Sequence, residues 1–373
     1  KAYDLSYHDG ERAPERLEKA NSAIQSALRL APDSGETHLA LALHLYWGYT
    51  DYARAQTELQ IASRTLPNDA RVPFFTGIID RRQGRWPEAV RELERATELD
   101  PRNESFLGDL GATYWCLRDY KKAGHAYDRA VGLEPNDLHV RLWWASLDLD
   151  ERADIRPAKA ITENILARNP AAISGEVGVA RFWLSLYERD FSAADRLLKT
   201  LRDAGTDALP LGENDEGIDA PRAFFEGWVS QLQGDAVAAR TYFLAARREE
   251  EKNPDPSPDS APRLCALGAI DAQLGRKEDA LREGRRALEV MPLTKDSLKG
   301  ADVLYCFALV CTWTGERDLA LSQLEKLVGI PAGPAYGQLR LDPSWDSLRA
   351  DPRFEKIVAS LAPHAEDISQ DFP

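Results

Sequence analysis

One spacing recurs along this chain and limits what it can fold into. A small residue is followed by Ala 12 positions on, a packing residue at 16, another at 19 and Pro at 24. Gly77, Ala89, Leu93, Ala96 and Pro101 form one instance, and Gly111, Ala123, Tyr127, Ala130 and Pro135 the next. Gly268, Ala280, Gly284, Ala287 and Pro292 repeat it far downstream. Pro32, Pro67, Pro101, Pro135 and Pro170 fall 35, 34, 34 and 35 residues apart. A fixed period of this length marks a stacked array of small supersecondary units. Two apolar-periodic helices that cross closely need small residues at the crossing, which Gly77 with Ala89 and Gly111 with Ala123 supply. Leu110, Tyr114 and Tyr127 fill the space beside it. Each proline ends a unit, because it cannot continue the preceding helix.

These residues resemble the tetratricopeptide-repeat motif, and several positions match together at one period. Leu43, Ala55, Leu59, Ala62 and Pro67 make a further unit. Gly227, Ala239, Phe243 and Ala246 make another, and Ala308, Ala320, Leu324 and Leu327 the last. Ser146 to Pro170 and Phe182 to Leu201 are looser. Ala20, Ile24, Ala27 and Pro32 read as the second helix of a unit whose first helix lies near Tyr3 to Glu11. The resemblance implies an all-α, right-handed superhelical solenoid of about nine antiparallel helix pairs. Residues 1–205 are expected to form an N-terminal sub-array and 206–335 a second one carrying acidic, turn-rich loops at 203–221 and 248–262. Residues 336–373 are expected to form a cap and tail, with Trp345, Leu348, Phe354 and Ile357 closing the open end of the last pair.

The segment from Leu339 to Phe354 also resembles the closing segment of the tetratricopeptide arrays in bacterial modular signalling proteins. Those carry a cyclase, winged-helix or kinase domain upstream. The chain opens with Lys1 rather than Met, as at a domain boundary or processing site.

Composition narrows the chemistry. The net charge of -14 suits a solubilising surface and argues against nonspecific nucleic-acid binding, which needs basic residues to neutralise phosphates. No apolar run is long enough to span a bilayer. Cys116, Cys265, Cys306 and Cys311 form no CxxC pair and read as buried thiols of a reducing compartment such as the cytoplasm. The six histidines show no metal-binding spacing, and no phosphate-cradling or dinucleotide-binding loop and no nucleophile elbow occurs. We therefore expect no metal, cofactor or catalysis. An enzyme would need titratable groups converging near the 203–221 break, and no motif there supplies them.

In such arrays the first helix of each pair lines the concave groove. Placed by the motif, the groove residues are Arg71, Phe74, Phe75, Arg81, Arg82, Trp115, His139, Trp143, Phe224, Trp228 and Trp313, with His44 and Trp47 ahead of them. Aromatics are favoured anchors in recognition surfaces, and Arg71, Arg81 and Arg82 could take an acidic group. The same aromatics would equally serve as packing between repeats. The Lys/Asn/Arg clamp of chaperone-tail binders is absent, because Ala40, His44 and Asp109 stand near those places. The expected role is thus a scaffold that binds a protein or peptide segment. The alternative is a regulatory or self-associating region, acting as a homo-oligomer or within a larger signalling polypeptide.

Overall fold

A computed structural model of the chain describes residues 14–211, 218–252 and 260–363. Among them, α1 (Pro14–Leu30) precedes sixteen helices, most of them in antiparallel pairs. α2 (Gly35–Tyr49) pairs with α3 (Tyr52–Thr65), α4 (Arg71–Arg82) with α5 (Trp86–Leu99), and α8 (Leu138–Arg152) with α9 (Arg156–Arg168), with α6 (Glu104–Cys116) and α7 (Tyr120–Leu133) between them in the chain. There follow α10 (Glu176–Tyr187) with α11 (Phe191–Asp203), α12 (Arg222–Leu232) with α13 (Ala236–Lys252), α14 (Ala261–Gln273) with α15 (Lys277–Val290), and α16 (Ser297–Trp313) with α17 (Arg317–Val328). The chain closes with α18 (Tyr336–Leu341), a 3-10 turn at Pro343–Trp345, and α19 (Pro352–Ala359). This is the all-α repeat array expected. The expected partner of α1, near Tyr3 to Glu11, lies outside the described residues.

The motif positions do what their sizes demand. Ala55, Ala89, Ala123, Ala194, Ala280 and Ala320 are wholly buried at the crossings. A Cβ on Gly77 would come within 2.8 Å of Leu93 Cγ and 3.0 Å of the Ala89 carbonyl, so α4 and α5 touch backbone to backbone there. Seven residues past each motif's first position the chain turns through left-handed backbone. Glycine fills that turn at Gly84, Gly234, Gly275 and Gly315, but Thr50, Arg118, Ala153 and Arg189 fill it elsewhere, with φ of 51°, 58°, 58° and 61°. A side chain in that region costs about 1 kcal/mol or more. Aspartates start many second helices. Asp51, Asp119, Asp190 and Asp235 each accept a backbone N–H three residues on.

The chain divides into two compact units. Unit 1 runs to Tyr114 and takes in 132–134, and unit 2 holds the rest. The division therefore falls near Tyr114, not at the expected boundary of 205, because the 203–221 break does not interrupt the array. There β1 (Ala208–Pro210) and β2 (Asp219–Pro221) form an antiparallel hairpin. Leu209, Leu211, Ile218 and Ala220 enter unit 2's core, and Arg222 ties the hairpin down by donating to the Asp207 and Thr206 carbonyls. The acidic stretch 248–252 likewise continues α13 instead of forming a loop. The acidic runs 212–217 and 253–259 lie outside the described residues.

A polar staple recurs at the end of the first helix in both units. In unit 1 Asp80 accepts from Arg85 Nη2 and from Gln56 Nε2 on the preceding second helix, both at 2.5 Å. In unit 2 Asp271 accepts from Arg276 Nη1 and from Arg247 Nε, both at 3.1 Å. Each trio is the other displaced by 191 residues (247 − 56 = 271 − 80 = 276 − 85 = 191). Glu283 sits beside the second staple and close to Asp271. Burial, reinforced by the Asp271 charge, pushes its carboxyl up to about 7. Burial also pushes Asp342 in the C-terminal segment up to about 6.

Both carboxyls hold protons more tightly folded than unfolded. Their contribution is therefore fully present below their ordinary range near 4 and is lost as pH rises through 6 to 7. Unit 2 is expected to unfold at higher urea at pH 5 than at pH 8, and Glu283→Gln is expected to flatten that difference. Equal midpoints for the wild type at both pH values would contradict the assignment.

Candidate interaction surface

In unit 1 the first helices line up a row of rings. Trp47 on α2 meets Phe75 on α4 edge-on at 5.5 Å. Phe75 meets Phe74 at 5.0 Å, and Phe74 stacks on Phe106 of α6 at 4.2 Å. Phe74 and Phe106 are buried, while Trp47 and Phe75 are partly buried against the core, and Tyr49 at the end of α2 is exposed. His44 falls in the core rather than on this face, edge-on to Tyr49 at 5.3 Å.

The expected basic patch is already occupied. Arg81 is buried and donates to Asp109 Oδ1 at 2.9 Å, Thr113 Oγ1 at 2.9 Å and the Asp109 carbonyl at 3.3 Å. It clamps α4 to α6, which corrects the expectation that it faces a ligand. Arg82 is buried too. Arg71 reaches Glu36 Oε1 at 2.8 Å and is also held by Asp69. The surface that unit 1 offers is thus aromatic, with Arg71, one turn before Phe75 on α4, shared between Glu36 and Asp69.

Unit 2 treats its first-helix aromatics differently. Trp115 donates Nε1 to Asp150 Oδ2 on α8 at 2.6 Å. His139 packs on Trp143 at 4.0 Å and faces Glu176 at 3.5 Å, leaving this part half-exposed, with Trp144 exposed beside it. Phe224 and Trp228, expected in the groove, are buried. They meet Trp313, itself partly buried, at 5.9 and 6.3 Å, and Trp183 closes on Trp228 at 6.1 Å. The intervening α14 buries Cys265, Ala266, Ala269 and Ala272, and these small residues leave room for α12 and α16 to bring their rings together. The inner aromatics here are therefore core, where the sequence expected lining.

Sequence reasoning missed Asp80, Asp271, Asp150, Trp183 and Arg118. The two staples were legible as an Asp three residues after the motif glycine, followed by Arg at five (Gly77-Asp80-Arg85 and Gly268-Asp271-Arg276). The partners of Asp150 and Arg118 carry no local signal. All four cysteines are buried, and burial pushes Cys311 up to about 12 and Cys265 upward too, which makes those two poor nucleophiles. Among the described residues no three His, Cys, Asp or Glu side chains gather to hold a metal, and no helix is long and apolar enough to cross a membrane.

No family model matches the chain. It is 28% identical over 123 residues to anaphase-promoting complex subunit 3 of Schizosaccharomyces pombe, which is 33% of this chain and 18% of that protein. Over 116 residues it is 29% identical to mouse interferon-induced protein with tetratricopeptide repeats 2, covering 30% of this chain and 23% of that one. The chain thus spans about a fifth of the length of these curated relatives. Among solved structures, yeast Tom70 superposes with a TM-score of 0.54 at 16% identity, covering 82% of this chain and 60% of that one. A tetratricopeptide repeat protein from Parabacteroides merdae gives 0.50 at 16% identity, covering 74% and 98%. The chain has the fold of tetratricopeptide-repeat solenoids.

Proposed function

We propose that this protein is a noncatalytic interaction scaffold that binds a protein segment on the first-helix face of unit 1. The supporting observation is the row Trp47–Phe75–Phe74, where Trp47 and Phe75 remain partly exposed and Phe74 is fixed by stacking on Phe106. Rigid aromatics supply contact area at little entropic cost, and the repeat scaffold holds them without a folding step on binding. Arg71, one turn before Phe75, with Glu36 and Asp69 offers both signs of charge to a segment's polar groups. The half-exposed Trp143 and His139 form a second, smaller aromatic place on unit 2.

A displayed library of random 16-residue peptides tests this reading. Selected peptides are expected to bind the wild type and to lose at least tenfold in affinity, about 1.4 kcal/mol, for Trp47→Ala or Phe75→Ala at unchanged helicity. Peptides that bind both variants as tightly as the wild type would place recognition elsewhere.

The resemblance of Leu339–Phe354 to the closing segment of bacterial signalling proteins supports a second reading. In it the array serves a catalytic or DNA-binding domain of one polypeptide. Sequencing the gene upstream of Lys1 decides it: an open frame encoding such a domain supports that reading, and a start codon directly before Lys1 removes it.

A further inference from the structure

In a linear array each repeat touches only its neighbours, so the end repeats can open while the others stay folded. Unit 2 is built differently, because the chain leaving its last repeat turns back onto its first turn. Arg118, between α6 and α7, donates to the carbonyls of Ile330 at 3.0 Å, Pro334 at 3.3 Å and Leu327 at 3.5 Å. The Leu327 carbonyl belongs to the last turn of α17, so the cation stands at that helix's negative end. Ala332 N–H donates back to the Cys116 carbonyl at 2.8 Å. Gly333 leaves the room this needs: a Cβ there would lie 1.9 Å from the Leu327 carbonyl oxygen and 2.8 Å from Arg118 Nη2. Further on, α18 crosses the end of α8 at Gly337, where a Cβ would lie 1.8 Å from the Leu149 carbonyl oxygen. Arg189, between α10 and α11, closes on Asp346 with two bonds at 2.7 and 2.8 Å.

The returning chain is part of the core. Ala332, Pro334, Ala335, Gln338 and Leu339 are all buried. Leu339, Trp345 and Phe354 belong to one apolar cluster with Leu149 of α8, Phe182 of α10 and Phe224 of α12. That cluster takes in residues from α8 to α19. In unit 1, by contrast, the cluster around Leu39, Leu59 and Ile79 reaches only from α2 to α4.

We propose that residues 327–346 are a permanent clasp that closes the array of unit 2 on itself, so that its repeats open together as one cooperative body. In an open array the end repeat leaves by breaking a single interface. Here α16 and α17 cannot leave without also stripping the acceptors from Arg118, the contact from Leu149 and the partner from Arg189. A partly buried guanidinium that loses its acceptors is costly, so half-open forms lie high in free energy beside the folded and the fully open ones. The curvature of unit 2 is thereby fixed by its own chain.

Native-state hydrogen exchange on the full chain, in urea below the unfolding transition, tests this. The most protected amides of α7, α10, α14, α16 and α19 are expected to share one urea dependence, that of the whole of unit 2. Arg118→Gly gives its turn the residue that Gly84, Gly234, Gly275 and Gly315 supply elsewhere, so the turn itself is kept. In that variant the amides of α16, α17 and α19 are expected to exchange about tenfold faster, with a smaller urea dependence than those of α10 and α12. Arg118→Lys keeps the cation at the end of α17 but not the fork, and is expected to lie between the two. Thr50→Gly, the same change at a left-handed turn of unit 1, is expected to leave the single urea dependence of unit 2 intact. A wild type in which α16, α17 and α19 open at a smaller urea dependence than α10 would overturn the proposal. So would an Arg118→Gly protein in which all of them still open together.

Discussion

Arg81→Ala is expected to destabilise unit 1 by about 3 kcal/mol, because it strips a buried clamp of its cation and leaves its acceptors behind. The guanidinium spans two repeats. It holds the Asp109 carboxylate, the Asp109 carbonyl and the Thr113 hydroxyl of α6 from its place on α4. Arg81→Lys keeps the charge but not the fork, so it is expected to recover part of the loss. Urea unfolding followed by hydrogen exchange in α4 and α6 measures both variants. A shift of the α4 and α6 amides below about 1 kcal/mol for Arg81→Ala would show that the clamp contributes no more than a surface pair.

Trp345→Ala is expected to cost unit 2 about 3–5 kcal/mol, the range for emptying a large, fully buried aromatic site. Trp345 has no exposed surface, packs edge-on to Tyr305 of α16 at 5.6 Å, and lies in one cluster with Leu348 and Phe354. Its loss uncovers the last repeat, and a solenoid without its terminal cap exposes apolar surface. Thermal unfolding should fall sharply, and binding of a hydrophobic dye should rise. Trp345→Phe is expected to keep most of the stability, since the Trp345 Nε1 makes no hydrogen bond for phenylalanine to lose. A Trp345→Ala protein that melts with the wild type and binds no dye would remove the capping role.

The array was legible because its determinants are local. Gly77 with Ala89, and Gly268 with Ala280, reveal a helix crossing from spacing alone, and the prolines mark each boundary. The cap was legible for the same reason, as Trp345 and Leu348 stand in a run directly after the last unit. What was illegible depends on partners distant in sequence. Whether Phe224, Trp228 or Trp313 lines a groove or fills a core rests on the size of α14's side chains, which stand between helices that carry the rings. Arg81 looked like a ligand-facing cation because motif position gives a face and not a partner. Asp109, 28 residues on, takes it inward. Arg118 carries no local signal, because its acceptors stand more than 200 residues away. The hairpin at 208–221 escaped notice because Gly, Pro and acidic residues mask the alternation of Leu209, Leu211, Ile218 and Ala220.

Segment binding on unit 1 is most directly tested by hydrogen exchange with and without a library-selected peptide bound to the full chain. Slowed exchange is expected in α2 and α4, around Trp47 and Phe75, with the amides of α12 and α16 unchanged because their rings are already packed together. Protection confined to α12 and α16, with none in α2 or α4, would contradict the assignment of the interaction surface to unit 1.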